Sequence, residues 1–138
     1  MHLRFRHVCL KVTDLERSLA FYRDMLGFTE GPAFTNDLGK KTGVFVYLDD
    51  GNFFELFTGA PGDFTGHLCF EVADIRKTAE ALRAKGLDVR EPSLGRSKAW
   101  LTSVKDPDGY VVELNEYSHP ESWIARFLSE NDPAHLPV

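Results

Sequence analysis

The strongest constraint on this chain is that it is written twice. Residues 7–17, HVCLKVTDLER, return as residues 67–77, HLCFEVADIRK, at a constant spacing of 60. His7, Cys9, Val12 and Asp14 align with His67, Cys69, Val72 and Asp74, and the apolar positions between them match in kind. A second echo runs from DGNFFEL (50–56) to DGYVVEL (108–114) at a spacing of 58, aligning Glu55 with Glu113. One loop indel accounts for the change in spacing. Self-similarity at a fixed period marks a repeated supersecondary unit, so the fold must be buildable from two like halves. The Gly- and Pro-containing stretch Gly59–Gly66 is the expected joint. It gives modules at 1–60 and 61–118, then a C-terminal helix and tail at 119–138, within one domain overall.

Each half predicts the same elements. Residues 5–13 alternate, with Val8, Leu10 and Val12 on one face and His7, Cys9 and Lys11 on the other, which is a half-buried strand. Asp14 sits where its carboxylate can accept a free helix N–H. Leu15, Leu19, Tyr22 and Leu26 then form a helical stripe, and Gly27 is placed to end it in the left-handed conformation. Strands are expected at about 28–34, 43–49 and 52–58, the last two joined through Asp50-Gly51. The second half repeats this with a strand at 67–73, a helix from Asp74 to Gly86, and strands at about 88–92, 99–105 and 110–117. After Pro120, Trp123, Ile124, Phe127 and Leu128 make an amphipathic helix that packs on the domain or on a partner chain. The fold class is α+β, two βαβββ modules forming a cupped, partly open, barrel-like sheet with helices outside.

Composition narrows the function. A chain of 138 residues with 43% hydrophobic and 27% charged residues can bury a core and a pocket. The net charge of −5 comes without a basic stripe, which argues against nucleic acid. Arg4, Arg6 and Lys11 interrupt the N-terminal region, so neither a signal peptide nor a membrane span is expected. Two cysteines without a CxxC imply no disulfide framework. A cytoplasmic protein is expected, with disorder confined to Asp132–Val138.

Alternation puts His7 and Glu55, and equally His67 and Glu113, on the face away from the helices. A single His or Glu on a strand is ordinarily a hydrogen-bonded or edge residue. Here each half supplies one of each, on the same two strands and in the same register, beside Phe53, Phe57 and Val111. A carboxylate among such neighbours is costly to ionise without a partner. One divalent cation would remove that cost, and two imidazoles with two carboxylates suit Zn, Ni, Co, Mn or Fe(II).

These residues, with DLERSLAFYRDMLGF (14–28), GHLCFEV (66–72) and DPDGYVVEL (106–114), resemble the vicinal-oxygen-chelate superfamily over about residues 5–118. That superfamily includes glyoxalase I, extradiol dioxygenases, and fosfomycin- and bleomycin-resistance proteins. The resemblance implies one metal held by His7, Glu55, His67 and Glu113. A carboxylate at Glu55 is similar to glyoxalase I rather than to the dioxygenases or fosfomycin transferases. It implies a metal-dependent lyase or isomerase whose small substrate chelates the ion through neighbouring oxygens, with Glu55 or Glu113 as the base. The alternatives are a dioxygenase or thiol transferase, or a non-catalytic drug-binding protein. Lys11 stands where glyoxalase I carries an Arg, and Gly59 where it carries an Asn, which loosens the tie to glutathione. Lys11 pairing with the oppositely charged Glu71 is slightly preferred to substrate contact. Phe53, Phe57, Trp100, Asn115 and Tyr117 are further candidates to line the substrate site. A homodimer is expected, because open sheets and the apolar tail helix need cover.

Overall fold

The computed structural model describes residue 1, residues 4–62 and residues 66–132. His2, His135, linker residues 63–65 and the tail from 133 onward lie outside the described residues. Two compact units divide the chain. The first is Met1–Thr65 with Asp106–Gly109, and the second is Gly66–Lys105 with Tyr110–Val138.

In the first unit β1 (His7–Val12) leads into α1 (Leu15–Leu19), which continues as a π-helical segment, Ala20–Met25. Strands β2 (Thr29–Thr35), β3 (Lys41–Tyr47) and β4 (Phe53–Thr58) follow. The second unit repeats the series with β5 (His67–Glu71), α2 (Ile75–Ala84), β6 (Ser93–Leu94), β7 (Trp100–Lys105) and β8 (Val111–Glu116), then α3 (Trp123–Asn131). Each unit has its own four-stranded sheet, ordered β1-β4-β3-β2 and β5-β8-β7-β6. The chain is therefore an α+β fold of two mixed open sheets, not one closed barrel. In each sheet the first and last strands pair in parallel, which requires the intervening crossover through a helix.

The local chemistry explains the elements. Asp14 and Asp74 accept the backbone N–H of Arg17 and Lys77, capping α1 and α2 in the same way. Gly27 and Gly86 end the helical segments at φ of +84° and +88°, where a side chain would strain the backbone. Leu10, Val12, Leu19, Val44, Val46, Phe54 and Leu56 form the first unit's core between helix and sheet. Ile75, Ala79, Leu82, Val104, Val112 and Leu114 do so in the second.

Three expectations need correction. The helix after Asp14 is not α-helical throughout. Its widened turn, closed by Leu26 N–H donating to Phe21 O at 3.0 Å, buries the successive residues Phe21 and Tyr22 together. The strand expected at 88–92 is absent, and β6 begins at Ser93. Pro92 has no N–H for a ladder, and this stretch is tied to β7 by Arg90 N–H on Ser103 O and by the Thr102 hydroxyl on Arg90 O. The C-terminal helix forms, but none of its residues is buried, and Trp123 and Phe127 are 64% and 60% exposed.

The turn Asp106–Gly109 belongs to the first unit and is tied to it by polar contacts. The Tyr22 hydroxyl donates to Asp106 at 2.7 Å. The Asp108 side chain, 1% exposed, accepts from the Thr13 backbone N–H at 3.1 Å and the Thr13 hydroxyl at 2.6 Å, with Arg17 at 3.7 Å. Asp108→Ala would remove these charge-assisted hydrogen bonds. It is expected to destabilise the protein by about 1–3 kcal/mol, read as a lower denaturant midpoint.

A second prediction concerns acid. Lys41 at 2.7 Å and Arg23 at 2.8 Å hold the Glu30 carboxyl below its ordinary value of 4.5. A depressed folded-state value contributes stability above the unfolded value that is lost as pH falls through the folded one. Glu30→Gln is therefore expected to lower the unfolding midpoint at pH 6 but hardly at pH 2. An equal loss at both pH values would refute the assignment.

Candidate metal centre

In the first unit the parallel register sets Cys9 opposite Glu55 and His7 opposite Phe53. His7 and Glu55 are thus diagonal neighbours on the face away from the helix. His7 Nε2 lies 3.4 Å from Glu55 Oε2. The second unit repeats the geometry, with Cys69 opposite Glu113 and His67 Nε2 3.8 Å from Glu113 Oε1. Both imidazoles are about half exposed, at 46% and 52%, whereas the carboxylates are at 18% and 22%.

These separations are long for a direct hydrogen bond. Two ligands about 2.1 Å from one tetrahedral ion stand roughly 3.4 Å apart. The first pair matches that spacing, and the second needs only a small side-chain adjustment. The donor chemistry, imidazole with carboxylate, fits a borderline or hard divalent ion. Among the described residues no group of three or more His, Cys, Asp or Glu is placed to hold a metal ion. Each unit carries one His–Glu pair on its own open sheet face.

The other expected site residues divide by face. Phe53 and Phe57 share the open face with Glu55, as alternation requires. Lys11 lies there too, its ammonium 5.0 Å from the Phe57 ring centre. Its aliphatic stem passes Gly59, where an added Cβ would stand 3.4 Å from Lys11 Cδ. Asn115 is two residues beyond Glu113 on β8 and interacts with the Tyr117 hydroxyl. Burial pushes Tyr117 above the usual tyrosine range. The Oδ1 atom of Asn115 is buried with no hydrogen-bond partner among the described residues. Cys69 is exposed as a residue, yet crowding around its sulfur, with the charge of Glu113, pushes the thiol up to about 11.

Trp100 is the exception. It alternates with Thr102 and Val104, both buried on the helix side, and its ring lies 6.0 Å from the Arg76 guanidinium of α2. It does not share the His67–Glu113 face. In the β7–β8 register Trp100 lies opposite Glu116 and Ser103 lies opposite Glu113, so Trp100 takes the other face.

Sequence reasoning missed Phe45, Phe34 and Tyr47. Phe45 is the direct neighbour of Glu55 in the β3–β4 register, and its ring is edge-on to His7 at 5.9 Å. The same alternation in KTGVFVY, with Val44 and Val46 buried, would have placed it there.

Two like modules, each with a His–Glu pair on the open sheet face, are the architecture that the sequence resemblance implied. The family model described as Glyoxalase/Bleomycin resistance protein/Dioxygenase superfamily matches residues 4–114, and the chain belongs to that superfamily. A lactoylglutathione lyase of Haemophilus influenzae is 36% identical over 132 residues, covering 87% of this chain and 97% of that protein. One of Salmonella typhimurium is 33% identical over 127 residues, with coverage of 83% and 93%. Among solved structures, a lactoylglutathione lyase from Agrobacterium tumefaciens superposes with a TM-score of 0.66 at 21% identity, covering 87% of this chain and 96% of that one. A glyoxalase family protein from Enterococcus faecalis superposes at 0.69 and 21%, with coverage of 82% and 97%. Both structures share the fold. Among the described residues no helix is long and apolar enough to cross a membrane.

Proposed function

We propose that this chain is a metal-dependent lyase or isomerase of glyoxalase type, acting on a small substrate with two neighbouring oxygens. The observation that carries the reading is the duplicated His–Glu pair, at 3.4 Å in one unit and 3.8 Å in the other. Relatives named lactoylglutathione lyase, matched over nearly their whole length, support it.

His7, Glu55, His67 and Glu113 would together hold one divalent ion, with each pair supplying half of the ligands. When bound, the ion supplies a Lewis acid for neighbouring substrate oxygens. The residues do the proton work. A glutamate oxygen takes the proton from the carbon bearing the hydroxyl of a hemithioacetal or hydroxy-ketone. It returns that proton to the adjacent former carbonyl carbon, so the substrate is isomerised without net redox change. Glu55 and Glu113 are the candidates, each partly shielded from water. Lys11, Phe53, Phe57, Asn115 and Tyr117 would bind the substrate around them. Trp100, on the helix side, is not part of this proposal. Lys11 offers a point charge without the bidentate fork of Arg, so a thiol partner smaller than glutathione is compatible with the site.

The uncovered apolar side of α3 supports the further reading that the protein works as a cytoplasmic homodimer, and the four ligands could then come from two chains. Mixing inactive His7→Ala and His67→Ala chains restores activity only in that case. The function itself is tested by turnover of methylglyoxal with thiols on the metal-loaded protein, beside oxygen uptake with catechol. Isomerase activity is expected. Oxygen uptake alone would overturn the reading in favour of a dioxygenase, and metal-independent ligand binding alone would favour a sequestering protein.

A further inference from the structure

The duplication has kept the His–Glu pair and changed what surrounds it. The sheet registers give the equivalences directly. Phe45 pairs with Glu55 in the first unit, and Ser103 pairs with Glu113 in the second. Gly43 pairs with Phe57, while Leu101 pairs with Asn115. On the outer strands Phe34 faces Gly43, and Ser93 faces Leu101. Rings in the first unit thus correspond to a serine, an asparagine and a second serine in the other.

The rings form a continuous shelf that starts at the candidate metal ligand. His7 meets Phe45 at 5.9 Å, Phe45 meets Phe34 at 5.3 Å, and Phe34 meets Phe57 at 4.9 Å between centres. Gly43 is its floor. A Cβ there would stand 2.6 Å from two atoms of the Phe57 ring, so the ring lies flat across the glycine. Phe34 remains 39% exposed at the outer edge. A folded chain leaves such rings open to water at a cost of about 25 cal/mol per Å², and their continuity with His7 and Glu55 makes the apolar part of a ligand held at that pair their natural cover.

We propose that the Phe34–Phe45–Phe57 shelf over Gly43 receives the apolar substituent of the substrate, so that this chain selects aryl-bearing oxoaldehyde adducts over methyl-bearing ones. The proposal rests on the functional reading above. Covering about 60 Å² of a phenyl group on the shelf favours it roughly tenfold over a methyl group.

The test uses two 2-hydroxy acids, mandelate and lactate, which differ only in phenyl against methyl. Titrated calorimetrically into the zinc-loaded protein, mandelate is expected to bind about tenfold more tightly. The ratio is expected to fall toward parity in Phe45→Ala and in Gly43→Ala, where the Phe57 ring must leave its floor. In parallel, aromatic NMR of the metal-free wild-type protein is expected to show Phe34, Phe45 and Phe57 signals shifting with mandelate and not with lactate. Failure to load zinc, with those ring shifts present, overturns the metal reading and keeps the shelf. Equal affinities for the two acids, or no mandelate-dependent ring shifts, overturn the shelf. So do ring shifts that follow protein concentration alone, which would assign this face to self-association.

Discussion

Glu55→Gln and Glu113→Gln are each expected to lower kcat for the isomerisation by about 10³-fold. Glutamine keeps the side-chain shape and a neutral oxygen but cannot take a proton. Glu55 lies 3.4 Å from its histidine and Glu113 lies 3.8 Å from its own, at 18% and 22% side-chain exposure, so the pairs are near equivalents in position. If both glutamates are ligands and one is also the base, both substitutions damage the site, but in separable ways. The variant that has lost the base as well stays inactive even when excess metal restores occupancy. The variant that has lost only a ligand regains activity at high metal concentration. Metal content and KM measured beside kcat therefore assign the base. Near-normal turnover in both variants would sink the mechanism.

Metal loading is expected to reach one ion for each set of His7, Glu55, His67 and Glu113. His7→Ala or His67→Ala is expected to weaken it by at least about 10²-fold, because losing even an outer-sphere partner costs a metal site 10–100-fold. Metal analysis after loading and dialysis reads this directly. Absence of stoichiometric metal after loading would refute the site. The geometry makes the test sharp: among the described residues neither unit gathers three donors, so a single pair should not hold the ion tightly by itself.

Most of the architecture was legible because it depends on short-range rules applied twice. Asp14 and Asp74 cap their helices through one backbone N–H each, and Gly27 and Gly86 end the helical segments at positive φ. Strict alternation in HVCLKV and FFELFT puts His7 and Glu55 on one face, and the duplication says the same of His67 and Glu113. What was not legible depends on register and on packing between distant segments. The π turn at Ala20–Met25 answers to the core that receives Phe21 and Tyr22 together, not to local propensity. Trp100 falls on the helix side because β7 pairs with β8 so that Ser103, not Trp100, shares the face of Glu113. The shift of β6 to Ser93 follows from Pro92, but only once Arg90 is seen tied to Ser103.

The candidate site shows the same division. The sequence alone determined that two histidines and two glutamates recur in matched positions, since recurrence is a property of order along the chain. It also determined which face of each strand they take, since side chains alternate with period two. Only the tertiary structure decided that each histidine comes within 4 Å of its own glutamate, at 3.4 and 3.8 Å, because that depends on the parallel pairing of strands more than forty residues apart. It alone showed that Phe45 and Phe34 extend the apolar surface from His7, and that Gly43 lets Phe57 lie flat. Those contacts arise across three strands, and side-chain neighbours across a sheet are set by pairing register, which the linear order of residues does not contain.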